Sequence, residues 1–76
     1  MEQKIIDILL ALRPEYDFSN NVDFIAEGML DSFDIVSLVS ELEDNFSVTI
    51  DGLEIIPDNF SSVANIKNLI ERSEKA

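Results

Sequence analysis

The stretch Gly28-Met29-Leu30-Asp31-Ser32-Phe33-Asp34 sets a serine beside an aspartate where a loop gives way to an apolar-periodic helix. A hydroxyl in the first turn of a helix stands on rigid backbone near the positive end of the helix dipole, where a phosphate group is tolerated. The chemistry it can offer is acceptance of a covalent, anionic modification. No other part of the sequence is as well placed for that.

Two residues compete to cap this helix, Asp31 and Ser32, and both types cap well. If Asp31 caps, Asp34 falls at the third helical position and approximates a capping box, where Glu or Gln is usual. The Ser32 hydroxyl is then unused by the backbone. If Ser32 caps, its oxygen accepts a backbone N–H and the residue is structural, which is the commoner fate of a serine at a helix start.

The chain that must position this junction has 76 residues, 46% of them hydrophobic, enough for one compact domain over 1–76. It has no cysteine and no histidine. That excludes disulfides, thiolate sites, imidazole ligands and histidine-based triads. Net charge is −11, and the basic residues Lys4, Arg13, Lys67, Arg72 and Lys75 all lie near the two ends of the sequence. Such a field repels nucleic acid and anionic membrane surfaces, which need Lys and Arg to neutralise them. It favours encounter with basic patches on other proteins. No run is long or apolar enough to span a bilayer, and the start at Met1-Glu2-Gln3-Lys4 reads as neither a signal nor a transit segment, so a cytoplasmic monomer is expected.

Apolar spacing predicts a first helix from Glu2 to Leu12, ended by Pro14. A long loop from Glu15 to Leu30 follows, pinned by Val22, Phe24, Ile25, Met29 and Leu30. A second helix runs from Ser32 to Phe46 with Ile35, Leu38, Val39, Leu42 and Phe46 as its inner stripe. Val48-Thr49-Ile50 alternates like a strand, but no second strand is visible, so it reads as an extended connector. Pro57 can open a short helix to Phe60, and Ser61 or Ser62 caps a last helix bearing Val63, Ile66, Leu69 and Ile70. The expected fold is all-α: a small four-helix bundle of three main helices and one short one, with a long first loop.

Asp31-Ser32-Phe33-Asp34, preceded by Leu30 and followed by an apolar-acidic helix, resembles the Asp-Ser-Leu region of acyl carrier proteins. The likeness continues in Glu41-Leu42-Glu43-Asp44-Asn45-Phe46 and in Phe60-Ser61-Ser62-Val63, and helix order, loop length and acidity agree over nearly the whole chain. In that family a phosphopantetheinyl transferase joins 4′-phosphopantetheine from coenzyme A to the serine through a phosphodiester. The resemblance therefore implies Ser32 as the attachment site and Asp31 as part of what the transferase recognises, beside its use as a cap. It implies a carrier and not an enzyme, holding an acyl or aminoacyl group as a thioester and presenting it to a ligase or synthase with a basic docking patch.

By the same resemblance, Phe33, Asp34, Val36, Glu43 and Asp44 form the partner-binding face, although Phe33 equally suits a core anchor and the acids equally suit a solvated face. Phe33 replaces the usual leucine, while Ser37 and Ser40 stand where fatty-acid carriers often show glutamate and methionine. The stretch from Thr49 to Phe60 is slightly longer than in those carriers and looks more like stand-alone carriers serving adenylate-forming ligases, D-alanyl carriers among them. Fatty acyl, D-alanyl, other aminoacyl and polyketide cargoes all stay open. Leu38, Leu42, Ile50 and Val63 read as plain core before they read as the lining of an acyl pocket.

A metal site is not expected. Asp17, Ser19, Asn21 and Asp23 alternate like calcium ligands, but Val22 occupies the position where the loop needs glycine and Gly28 that of the bidentate glutamate. The competing function is an unmodified acidic adaptor on the same fold.

Overall fold

The computed structural model describes residues 1–75. Its frame is three α-helices: α1 (Glu2–Leu12), α2 (Ser32–Phe46) and α3 (Val63–Arg72). Each buries one stripe. Ile5, Leu9, Leu38, Leu42, Phe60, Ile66 and Leu69 are wholly shielded from solvent and belong to a single core cluster. Leu38 and Leu42 sit in that core with Ile50, and Val63 packs against it half-buried, so these four are packing residues. The sequence fixes the helix ends through familiar chemistry. Pro14 follows the α1 cap Arg13, Asp31 caps α2, and the Ser62 hydroxyl accepts the Asn65 N–H to cap α3.

One expectation needs correction, and a second is met in a different form. Val48–Thr49 is a strand (β1) after all, pairing antiparallel with β2 (Glu74–Lys75) in the register Val48↔Lys75 and Thr49↔Glu74. Its partner is a polar two-residue segment at the far end of the sequence, which carries no alternating pattern. The short helix expected from Pro57 to Phe60 is present, as a 3-10 helix. Gly52–Glu54 and Pro57–Phe60 are separate 3-10 turns. The Asp51 side chain caps the first, and Pro57 opens the second as its first-turn proline. The described residues therefore form three α-helices and two 3-10 helices beside the β1–β2 pair.

The long loop is tied down by local hydrogen bonds around one aromatic residue. Asp17 accepts the Ser19 N–H, and Asp23 accepts those of Ile25 and Ala26, so each carboxylate closes a turn. Phe24 donates its N–H to the Ser61 carbonyl and accepts from the Met29 and Leu30 amides through its own. Its ring packs edge-on to Phe18, centroids 5.0 Å apart, with both rings buried. The loop thus delivers Leu30, and so Asp31, to a fixed place.

At the other end of α2 the cap Ser47 adopts a left-handed conformation with φ of 53°. A side chain there costs energy that glycine avoids. Ser47→Gly should raise stability by about 0.5–1 kcal/mol, read as a thermal midpoint roughly 2–6 °C higher.

Candidate functional site

The competition at the start of α2 resolves in favour of Asp31. Its carboxylate accepts the Asp34 N–H at 2.9 Å, and the Asp34 carboxylate accepts the Asp31 N–H at 3.0 Å. This is a reciprocal capping box built from two aspartates instead of Ser and Glu. Ser32 is the first helical residue, and it is exposed. Among the described residues its hydroxyl makes no hydrogen bond, because the backbone it could have capped is already satisfied. The position has what a covalently attached phosphodiester needs: an unengaged oxygen on an ordered helix start, open to solvent, with the dipole's positive end beneath it.

Sequence reasoning missed one member of this site. Arg13, the residue capping α1, reaches across to α2. Its Nε donates to Asp34 Oδ2 at 2.9 Å, its Nη2 lies 3.3 Å from Asp31 Oδ2, and its Nη1 lies 3.4 Å from Glu15 Oε2. One guanidinium therefore spans both carboxylates of the capping box. The signal was present only as a lone cation next to Pro14, which marks where α1 stops but not where its last side chain goes.

The Asp34 N–H holds the Asp31 carboxyl below the ordinary carboxylate range, and the Arg13 guanidinium adds to this. Arg13 is itself shifted up, first through its hydrogen bond to Asp34. A carboxyl whose folded-state pKa is depressed contributes stability that is full above its unfolded value, near 3.9, and is lost as pH falls through the folded value. Asparagine keeps an oxygen for the Asp34 amide but takes up no proton. Asp31→Asn should therefore make stability fall less steeply with pH below about 4, measured by denaturant unfolding at pH 5, 4, 3 and 2.

The other expected site residues divide. Phe33 is 83% exposed and Val36 68%, so Phe33 is no core anchor. Asp44 is exposed on the same stripe of α2. Asp34 is spent on the cap and on Arg13, with only 13% of its side chain exposed. Glu43 is half-buried, and one of its oxygens accepts the Ile50 N–H at 2.9 Å, which ties α2 to the segment after β1. No helix among the described residues is long and apolar enough to cross a membrane.

Residues 3–71 match the family described as "Phosphopantetheine attachment site". The chain is 30% identical over 69 residues to the D-alanyl carrier protein of Bacillus velezensis (strain DSM 23117 / BGSC 10A6 / LMG 26770 / FZB42), with 88% of each chain covered. No solved structure gives a significant match. Proteins of this family are carriers, not enzymes, and 4′-phosphopantetheine is the group they bear covalently. This chain belongs to the family of phosphopantetheine-bearing carrier proteins.

Proposed function

We propose that the whole chain is one carrier unit that holds an acyl or aminoacyl group as a thioester on a 4′-phosphopantetheine arm attached to Ser32. The observation that carries this reading is the division of labour at α2: Asp31 caps, so the exposed Ser32 hydroxyl is left free. When bound, the arm supplies the thiol that a chain without cysteine lacks. The chain's own residues supply position and recognition. Ser32 Oγ forms the new bond to phosphorus as a P–O bond in the pyrophosphate of coenzyme A breaks. The nucleotide bisphosphate leaves with the electron pair, and the serine proton passes to the transferase. Asp31, next in line and ion-paired, marks the site for that transferase.

The partner surface is the exposed stripe of α2. Phe33 and Val36 offer an apolar contact beside the arm, and Asp44 offers a negative charge for Lys or Arg on a ligase or synthase. Glu43 and Asp34 serve this surface from behind, since their carboxylates are largely used within the chain. Similarity to a D-alanyl carrier protein supports an aminoacyl cargo, D-alanine first, loaded by an adenylate-forming ligase in the cytoplasm.

The test is intact mass after incubation with coenzyme A and a broad-specificity phosphopantetheinyl transferase. A gain of one phosphopantetheinyl group is expected, followed by a D-alanyl gain with ATP, D-alanine and a D-alanine ligase. No gain in the first step would leave the unmodified adaptor as the reading. A first gain without the second would redirect the cargo to another acid.

A further inference from the structure

Attachment at Ser32 sets a problem for so acidic a chain. The incoming donor is an anion, and the product is a permanent anion. Both must be accommodated beside Asp31, Asp34 and Glu15 in a molecule of net charge −11. Dipole attraction at the helix start is already shared with the two capping carboxylates.

We propose that Arg13 is the counter-charge of the modification site: a positioning residue that lets Ser32 accept and keep an anionic ester. The proposal rests on Ser32 being the attachment point. Its geometry is specific. Arg13 is the cation ion-paired to Asp31 and Asp34 among the described residues. Lys4 is engaged with the Asn45 carbonyl and the Phe46 ring at the opposite end of α2, Arg72 with Glu54 and Asn59, Lys67 stands on α3 and Lys75 lies in β2. Ser32 directly follows Asp31, whose outer oxygen lies 3.3 Å from the guanidinium. Its hydroxyl therefore stands one residue along from a carboxylate that the guanidinium already pairs, and charges so placed interact within the screening length of ordinary salt. Arginine suits this task, since its charge persists at every working pH and its planar fork holds two carboxylates at once.

A guanidinium in this place also fastens α1 to α2, and that structural role must be separated from the electrostatic one. The separation lies in comparing the protein before and after modification. A fastener stabilises both forms alike, whereas a counter-charge matters more once the anion is present.

The experiment uses wild type, Arg13→Gln, Arg13→Lys and Glu15→Gln as the full chain, each with and without the phosphopantetheinyl group. First, the rate of attachment is followed by mass. At low salt kcat/KM should fall about three- to tenfold in R13Q, carried by KM, recover substantially in R13K, and rise about twofold in E15Q, where a local negative charge is removed. At 0.5 M NaCl these differences should shrink to within about twofold. Second, attachment should lower the thermal midpoint of R13Q by roughly 2–4 °C more than that of wild type. Equal shifts in the two proteins, or a rate loss untouched by salt and unmatched by an opposite change in E15Q, would overturn the proposal. If R13Q is too unstable to compare, the E15Q rate and its salt dependence decide. Absence of attachment in wild type would instead remove the Ser32 reading beneath it, so the two failures look different.

Discussion

Ser32→Ala should abolish attachment of the phosphopantetheinyl group while leaving the fold intact. The expected loss is complete, because the reaction as proposed forms its bond at the Ser32 oxygen, which alanine lacks. The expected change in stability is small, within about 0.5 kcal/mol, because the hydroxyl is exposed and holds nothing in place. Alanine is also the better helix former, so a shift of a few tenths of a kcal/mol toward greater stability is foreseen. Asp31→Ala should behave in the opposite manner. It removes an N-cap and leaves the Asp34 amide without its acceptor, costing about 0.5–2 kcal/mol. It should slow attachment but not forbid it. Intact mass and thermal melts on both variants separate the residue that is modified from the residue that holds the helix. A substantial mass gain in S32A would mean that another hydroxyl takes the group.

Much of this was legible in the amino-acid sequence, for reasons that can be named. The three helices carry strong apolar periodicity between clear stops, so Glu2–Leu12 and Ser32–Phe46 are readable to the residue. The capping box was one of two open alternatives, since Asp and Ser cap about equally well and only the backbone direction decides. Phe33 was undecidable for a related reason. An aromatic residue beside a helix start can turn in or out, and here neighbouring Leu30 fills the core in its stead. The β1–β2 pair escaped because its partner lies far along the chain and is polar. Backbone hydrogen bonding, not side-chain pattern, makes that ladder. Arg13 escaped because ion pairs between separate helices depend on where the elements dock, which no local spacing encodes.

Phe24→Ala should be the most damaging single change outside the attachment site. Phe24 is 1% exposed, packs edge-on to Phe18 and stands in the middle of the long loop, so its removal opens a cavity under a segment that has no helix to hold it. Phe-to-Ala substitutions in a core cost about 3–5 kcal/mol. Domains of this kind have on the order of 0.05–0.15 kcal/mol of stability per residue, so much of the total would be lost. The consequence reaches the site through the backbone. The Phe24 amide and carbonyl tie the loop to Ser61 and to Met29 and Leu30, and Leu30 leads directly to Asp31. Phe24→Leu keeps most of the buried volume and should cost roughly 1–2 kcal/mol, preserving these ties. Urea unfolding should therefore rank wild type above F24L and F24L well above F24A, with attachment rates at Ser32 in the same order. An F24A protein that loses stability but is modified at the wild-type rate would show that the start of α2 is ordered by its own capping box and Arg13, without help from the loop.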